Sequence, residues 1–302
     1  MTLARLLKII TGSVITTALA WWLYFHQQFP FLAVGGVLLL MLGYALVLAF
    51  EFLLVRITYL EVRDGIPRAT WRELIGAWFN EVLVAPQVFC WRQPFFADRF
   101  PDKLSGATIP DGQRGLILVH GFFCNRGFWA PWLQQLDGRG HAFIALNLEP
   151  TFGSIDSYIT QIDAAVARLT KVSGMPPVIV CHSMGGLAVR AWLKATQSDQ
   201  RVHHVVTIGT PHLGTWLARF GQGENSRQMR ADSAWQAQLN EGDTASRNVR
   251  FTCWYSNSDN IVFPAANAIL PGADNRLVCG VAHVQLAFLP KVINDTLARL
   301  ES

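Results

Sequence analysis

The chain begins with two long apolar runs, and shorter apolar segments separated by polar ones follow them. Residues 9–25 and residues 31–50 contain no charged side chain. At 1.5 Å per residue, helices of these lengths span roughly 25 and 30 Å, which is enough to cross the hydrocarbon core of a bilayer. Residues 26–30 alone separate the two runs. The pattern therefore predicts a membrane-spanning helical hairpin at the start of the chain.

Positive charges flank the predicted hairpin at its open end. Arg5 and Lys8 precede the first span, the 26–30 turn has no Lys or Arg, and four arginines follow the second span: Arg56, Arg63, Arg68 and Arg72. The positive-inside rule then predicts a multi-pass protein of the inner (cell) membrane with both ends in the cytoplasm. The alternative is a signal peptide cleaved after Ala18-Leu19-Ala20. Five scattered cysteines without a CxxC pair agree with a reducing compartment.

Residues 56–110 form a connecting region in which one further helix is predicted. Thr70 and Glu73 have the spacing of a capping box, which starts a helix that runs to about Val84. Apolar residues recur at helical spacing along it. The helix either packs on the rest of the protein, which is the preferred interpretation, or lies against lipid.

From residue 115 onward, predicted strands and helices alternate. The strands are residues 116–119, 142–148, 177–180, 202–208, 249–255 and 276–279, and the helices include 154–169, 186–194 and 284–300. Such alternation predicts an α/β fold with a mostly parallel sheet flanked by helices. We therefore divide the chain into a two-helix membrane anchor (1–55), a connecting region (56–110) and a catalytic domain (111–302). Ligands of such sheets bind at the carboxyl ends of the strands.

Ser183 follows one of these strands directly and precedes a helix. The segment Cys181-His182-Ser183-Met184-Gly185-Gly186 resembles the G-x-S-x-G nucleophile elbow, with Cys181 in place of the first glycine. A sharp turn holds the serine Oγ above the sheet, and the following helix N-terminus favours developing negative charge. We interpret Ser183 as a nucleophile; the alternative is a serine that only caps the helix.

Five segments together resemble the α/β-hydrolase superfamily, and within it the bacterial serine lipases and esterases. They are residues 119–122 (VHGF), 181–186 (CHSMGG), 209–215 (GTPHLGT), 257–262 (NSDNIV) and 280–283 (GVAH). The resemblance covers roughly residues 110–300 and leaves the predicted hairpin outside it. It implies an α/β-hydrolase fold in which the serine, the acid and the histidine follow one another along the chain.

The remaining members of the triad are assigned by this order. His283 lies between the last predicted strand and the last helix, and we interpret it as the general base and acid. The acid follows the seventh strand of the superfamily fold, which here points to Asp259 after strand 249–255. Other histidines and aspartates are interpreted as structural or as solvated loop charges: His120, His203, His204, His212, Asp232, Asp243 and Asp274.

The oxyanion hole requires two backbone N–H donors. Met184, the residue after the nucleophile, supplies one, and by resemblance Phe122 in the loop after the first strand supplies the other. Apolar residues near the strand ends are candidates for substrate binding, although core packing explains them equally well: Phe123, Trp129, Leu213, Phe263 and Val284. Residues 218–247 are a candidate lid.

These features predict a membrane-anchored serine esterase or lipase that acts through an acyl-enzyme on a lipid-derived or other hydrophobic ester. The alternatives are an acyltransferase, thioesterase or amidase, or a catalytically inactive hydrolase fold that serves as a membrane scaffold. No metal or phosphate-loop motif is present in the sequence, and we expect no cofactor. A formal net charge of +4 without a basic block argues against nucleic acid as a partner.

Overall fold

Two long helices open the structure, a computed structural model that describes residues 2–58, 65–104, 113–241 and 250–301. Helix α1 (Leu3–Phe25) and helix α2 (Pro30–Thr58) pack against each other. The Trp21 indole donates to the Leu32 carbonyl at 3.0 Å and occupies the space in which Gly36 lacks a side chain. The pair forms the predicted helical hairpin. Arg63 and Asp243 lie outside the described residues.

The outer surface of the hairpin is apolar. Phe31, Leu39 and Leu46 are each more than half exposed, as are many of their neighbours on α1 and α2. Contiguous apolar surface of this kind indicates a membrane or a partner. In the described part of the chain, three helical stretches are long and apolar enough to cross a membrane: α1, α2 and Trp71–Phe95.

The third stretch contains helix α3 (Trp71–Pro86), a π-helical segment (Gln87–Arg92) and the short helix α4 (Gln93–Phe95). The predicted capping box is confirmed, because Thr70 Oγ1 accepts the Glu73 N–H at 3.2 Å and Glu73 Oε2 accepts the Thr70 N–H at 2.7 Å. Helix α3 packs through one face on the domain of residues 111–302, as preferred above, and also on α2. Its opposite face is exposed and apolar, and carries Trp71, Ile75, Phe79 and Leu83.

A six-stranded sheet forms the centre of the remaining chain. Its strands are β1 (Leu116–Val119), β2 (Phe143–Ala145), β3 (Val178–His182), β4 (His204–Ile208), β5 (Arg250–Ser256) and β6 (Asp274–Val278). They are ordered β2-β1-β3-β4-β5-β6, and every neighbouring pair is parallel. The flanking helices are α5 (Ala130–Arg139), α6 (Ile159–Ser173), α7 (Met184–Thr196), α8 (Glu224–Gln228), α9 (Ala234–Asn240), α10 (His283–Leu286) and α11 (Pro290–Ala298). The predicted α/β architecture is confirmed.

Each face of the sheet is covered by its own hydrophobic core. Side chains alternate along a strand, so Ile117 and Ile179 enter a core shared with α6 and α7. Leu116 and Val180 enter a second core, shared with α5 and α11. Burial on both faces explains why β1, β2 and β3 are apolar at nearly every position, whereas the edge strand β6 is only partly buried and begins with three polar residues.

Three predicted elements differ from the structure. Strand β2 ends at Ala145 instead of Leu148, because the Leu148 N–H donates to His120 and leaves the ladder. The predicted helix 284–300 is divided into α10 and α11, and Pro290 begins the second helix, where a residue without an N–H fits. The predicted helix 154–169 begins with a 3-10 helical turn (Ile155–Tyr158), and α6 follows it from Ile159.

Candidate active site

Ser183, Asp259 and His283 all lie at the carboxyl-terminal edge of the sheet. Ser183 follows β3, Asp259 follows β5, and His283 follows β6 as the first residue of α10. Carboxyl ends of parallel strands share one edge, so residues distant in sequence meet there. The three residues are almost completely buried, with 7%, 2% and 4% of their surfaces exposed.

Ser183 occupies a strained turn between β3 and α7. Its φ of 53° and ψ of −127° are rare for a residue with a side chain, and such backbone conformations cluster at functional sites. Two contacts hold the turn: the Ser183 N–H donates to the Ile208 carbonyl at 2.9 Å, and Thr210 Oγ1 donates to the Ser183 carbonyl at 2.9 Å. The turn is therefore fixed from the β4 side.

The two glycines after Ser183 allow α7 to approach the sheet. A Cβ at Gly185 would lie 2.5 Å from the Val119 carbonyl oxygen, and a Cβ at Gly186 would collide with the Thr210 hydroxyl. The close approach brings the N-terminus of α7 next to the serine, as predicted for a nucleophile elbow.

Asp259 and His283 form a direct hydrogen bond. His283 Nδ1 donates to Asp259 Oδ2 at 2.8 Å, while Asp259 Oδ1 accepts the N–H groups of Ile261 and Val262, both at 2.8 Å. The carboxylate is thus held by its own loop, and one oxygen remains for the imidazole. This arrangement fixes the proton on Nδ1 and leaves Nε2 as an acceptor.

Charges around His283 determine its proton affinity. Burial lowers the pKa of His283, but Asp259 raises it by charge and hydrogen bonding, and Glu81 and Glu51 raise it further. The net direction is above the ordinary value of 6.5. The imidazole is therefore a stronger base than a free histidine.

His182 links the nucleophile turn to His283 and was not identified from the sequence. Its Nε2 donates to the His283 carbonyl at 3.2 Å, and the two rings lie 4.6 Å apart. On its other side the ring stacks on Phe128 at 4.5 Å. Burial and the neighbouring His283 hold the pKa of His182 well below its usual range, so the ring is neutral. Its position next to Ser183 was the only sequence signal.

The loop after β1 packs directly on the nucleophile turn. A Cβ at Gly121 would lie 2.8 Å from the Ser183 Cβ, so this position requires glycine. In the described ranges, no hydrogen bond uses the N–H group of Phe122 or that of Met184. Phe123 has a positive φ of 55°. The two candidate oxyanion-hole donors are thus free to bind a ligand oxygen.

His120 holds this loop in place, in agreement with its interpretation as a structural residue. Its Nε2 accepts the Leu148 N–H at 3.0 Å, so Nδ1 carries the proton and donates to the Gly121 carbonyl at 2.9 Å. Burial lowers the pKa of His120 to about 4. A neutral, doubly bonded imidazole has no free nitrogen for catalysis.

The other alternative residues also have structural partners. His212 Nε2 contacts Thr207 Oγ1 at 3.1 Å, and burial together with Arg190 holds the pKa of His212 well below its usual range. Asp274 forms an ion pair with Arg276 at 2.7 Å on the surface. Asp232 is exposed. None of these groups contacts Asp259 or His283 among the residues that the structure describes.

A cavity of about 250 Å³ opens beside Ser183. Its lining is mainly apolar and includes Phe122, Leu217, Ala218, Met229, Ile261 and Val262. Ala218 and Met229 belong to the candidate lid, of which residues 242–247 lie outside the described chain. A hydrophobic chain bound here would begin at the serine.

The five predicted substrate-binding residues are not among those that line this cavity. Trp129, Phe263 and Val284 are buried in the cores. Phe123 stacks with Phe89 and Phe152 near the surface, and Leu213 is 40% exposed. A position near a strand end does not fix the direction of the side chain, and the core-packing alternative applies to the three buried residues.

Comparisons with known proteins agree with this geometry. Residues 116–291, more than half of the chain, match the model of the alpha/beta hydrolase family. No curated protein matches the sequence. The mature lipase BlEst2 of Bacillus licheniformis superposes with a TM-score of 0.57 at 16% identity, over 65% of this chain and 96% of that one. Aspergillus fumigatus lipase B superposes with a TM-score of 0.57 at 20% identity, over 65% of this chain and 55% of that one. At these identities the similarity concerns the fold.

Proposed function

The chain belongs to the alpha/beta hydrolase family, and we propose that it is a membrane-anchored serine hydrolase that cleaves carboxylic esters of hydrophobic acyl chains. The observation that carries the proposal is the 2.8 Å hydrogen bond between His283 and Asp259 at the sheet edge where Ser183 occupies its strained turn. We assign Ser183 as nucleophile, His283 as general base and acid, and Asp259 as the acid that orients the imidazole.

The proposed reaction has two halves. His283 Nε2 takes the proton from Ser183 Oγ while Oγ attacks the ester carbonyl carbon, and the carbonyl oxygen becomes an oxyanion. The N–H groups of Phe122 and Met184 stabilise this oxyanion. When the carbonyl re-forms, the bond to the alkoxy group breaks and that group takes the proton from His283. The alcohol leaves, and the acyl group remains on Ser183. Water then repeats the sequence, releasing the carboxylic acid and restoring the serine.

Apolar surfaces support a hydrophobic substrate and a membrane location. The cavity beside Ser183 is mainly apolar, and each methylene buried there contributes about 0.8 kcal/mol to binding. Both similar structures named above are lipases. We propose that α1 and α2, which include the predicted anchor of residues 1–55 almost entirely, hold the protein in the inner (cell) membrane with the domain of residues 111–302 in the cytoplasm.

A fluorophosphonate probe tests the proposed nucleophile. The full chain, purified in detergent, is treated with the probe and assayed on p-nitrophenyl esters of increasing acyl length. We expect labelling and hydrolysis in the wild type, and a loss of roughly 10⁴–10⁶-fold in kcat for Ser183→Ala. Ser157→Ala serves as the matched control, because it removes an exposed serine hydroxyl that bonds to the nearby Ser154 carbonyl.

The outcomes separate the candidate functions. Labelling that persists in Ser183→Ala contradicts the assignment of the nucleophile. A wild type with neither labelling nor hydrolysis contradicts the proposal and leaves the inactive scaffold. Faster product release with added alcohols than with water indicates an acyltransferase. Preferential cleavage of the matching thioester or anilide indicates a thioesterase or an amidase.

A further inference from the structure

A carboxylate from the connecting region reaches the helix that begins with His283. Glu81 lies on α3, and only 2% of its surface is exposed. Its Oε1 accepts the Val284 N–H at 2.9 Å, across 203 residues of sequence, and its Oε2 accepts the Gln285 N–H at 3.1 Å. Both carboxylate oxygens are therefore bonded to the first turn of α10.

These bonds supply what α10 lacks on its own. The helix has four residues, and a helix this short is not stable in isolation. Its first N–H groups have no intrahelical acceptors and carry the positive end of the helix dipole. A carboxylate that accepts two of them is bound by charge-assisted hydrogen bonds, which are the stronger kind. The position of α10, and of His283 at its start, thus depends on Glu81.

The hairpin holds His283 through a second path. Glu51 on α2 accepts a hydrogen bond from Asn260 Nδ2 at 2.7 Å, and Asn260 Oδ1 accepts the His283 N–H at 3.2 Å. Three successive backbone N–H groups therefore depend on the N-terminal helices. Those of Val284 and Gln285 bond to Glu81 directly, and that of His283 bonds to Asn260, which Glu51 holds.

Helix α3 is fixed on α2, so Glu81 has a firm support. Tyr44 on α2 donates its hydroxyl hydrogen to the Val82 carbonyl at 2.7 Å, and the Trp78 indole donates to the Ala45 carbonyl at 2.8 Å. The acceptor of the first bond is the carbonyl of Val82, the residue that follows Glu81. Any displacement of α3 along α2 would be transmitted to α10.

We propose that Glu81 is a positioning residue for His283. Through Glu81, the N-terminal helices help to position the catalytic histidine, in addition to anchoring the protein in the membrane. Glu81 holds α10 so that His283 Nδ1 meets Asp259, which leaves Nε2 as the acceptor. This inference rests on the proposed function.

The charge of Glu81 should affect the pH dependence of activity, which a residue that acts only by packing would leave unchanged. The groups that face His283 are Asp259 after β5, Glu81 on α3, Glu51 on α2 and the neutral His182 on β3. Burial raises the pKa of Glu81 itself to about 7, so the carboxylate is ionised above that pH, and its negative charge is then one of those that raise the pKa of His283. Its removal therefore shifts the acid limb of the activity profile to lower pH.

Glu81→Gln in the full chain tests the proposal, with Glu73→Gln as matched control. Glu73 lies on the same helix, and its carboxylate bonds to Thr70 instead of α10. We expect Glu81→Gln to lower kcat by roughly 10–100-fold, as small displacements of catalytic groups do. KM should stay within about twofold, since Glu81 does not line the cavity, and the acid limb of kcat should move to lower pH. Glu73→Gln should change neither kcat nor the acid limb.

The result that would overturn the proposal is a Glu81→Gln variant whose kcat and acid limb equal those of Glu73→Gln. If Glu81→Gln does not fold, Glu81→Asp decides, because it keeps the charge but shortens the reach: we expect a lower kcat with an unchanged acid limb, and a wild-type kcat contradicts the proposal. A wild type that is neither labelled at Ser183 nor active on esters refutes the proposed function itself, whereas an active wild type with normal Glu81 variants refutes this inference alone.

Discussion

His283 Nδ1 and Asp259 Oδ2 lie 2.8 Å apart, in a pair from which solvent is almost completely excluded. The aspartate is held by the backbone of its own loop. The His283 N–H donates to the Asn260 side chain, and Glu81 accepts the N–H groups of the next two residues of α10. The hydrogen bond therefore depends on the correct placement of the Asp259 loop and of α10, which makes it sensitive to mutation and to pH.

The first prediction concerns pH. The pKa of His283 is raised above 6.5, and the reaction requires the neutral imidazole, so activity is lost as the pH falls through this raised value. We expect the acid limb of kcat/KM for a p-nitrophenyl ester to have its midpoint above pH 6.5. A midpoint clearly below pH 6.5 would contradict this assignment of the charges.

The same shift acts on stability with the opposite sign. A raised pKa means that the folded protein binds the proton more tightly than the unfolded chain does. The contribution of His283 to the free energy of unfolding is therefore fully present below about pH 6.5 and declines as the pH rises through the folded value. Denaturant titrations of the wild type and of His283→Gln across this range measure it as a difference that shrinks with increasing pH.

The second prediction separates the two candidate acids. Asp259→Asn should keep the fold but lower kcat by about 10⁴-fold, because the amide no longer holds the imidazole tautomer that accepts a proton from serine. Asp274→Asn should leave kcat near the wild-type value, since Asp274 pairs with Arg276 on the surface. The assignment is wrong if the effects of the two variants are reversed in the same ester assay.

The third prediction concerns Gly209, the residue after β4. It has a φ of +57°, and a Cβ there would lie 3.0 Å from His283 Nδ1 and 3.1 Å from Asp259 Oδ2. Gly209→Ala should cost about 1–2 kcal/mol of stability from the backbone and should also lower kcat by displacing the pair. Gly174→Ala is the control: its φ is +67°, and its Cβ would meet nothing within 4 Å.

Thermal unfolding and kcat are to be measured on both glycine variants. We expect similar losses of stability and a loss of kcat confined to Gly209→Ala. Equal kcat values in the two variants would show that the contact with the pair has no effect on catalysis.

The fourth prediction concerns acyl length. Leu217 lines the cavity beside Ser183, whereas Leu213, in the same segment, does not. Leu217→Trp should fill part of the cavity and lower kcat/KM for long-chain esters far more than for acetate. Leu213→Trp, at an exposed position, should leave the ratio between long and short esters unchanged. An unchanged ratio in Leu217→Trp would place the acyl group elsewhere.

The fifth prediction concerns topology. With Arg5, Lys8 and Arg56 at the same end of the hairpin, both termini should lie in the cytoplasm. A reporter that is active only in the cytoplasm, fused after residue 302, should be active, and one that requires the periplasm should be silent. The reverse pattern would place the catalytic domain outside the cytoplasm.

The sequence predicted those parts of the protein whose determinants are local. The strand before Ser183, the two glycines after it and the capping box at Thr70 are short patterns with one structural solution each. The order of the strands along the sheet edge then brought Asp259 and His283 together, although their roles remain predictions.

Side-chain direction and long-range pairing were not accessible in this way. Trp129 and Phe263 were predicted to bind substrate because they lie near strand ends, but both point into the cores. Glu81 was missed because a single glutamate in an apolar helix has no local signature. Its partners are 203 and 204 positions away, and only the folded chain shows that the carboxylate is buried against them.

The two glutamates of the N-terminal helices have a practical consequence for anyone preparing this enzyme. A shortened version that starts near residue 113, chosen to avoid detergent, would leave the amides of Val284 and Gln285 and the carboxamide of Asn260 without their acceptors. These donors would exchange charged acceptors for water, and the apolar surface that contacts α3 would be uncovered as well. Purification, inhibitor screening and crystallisation should therefore be designed around the intact polypeptide.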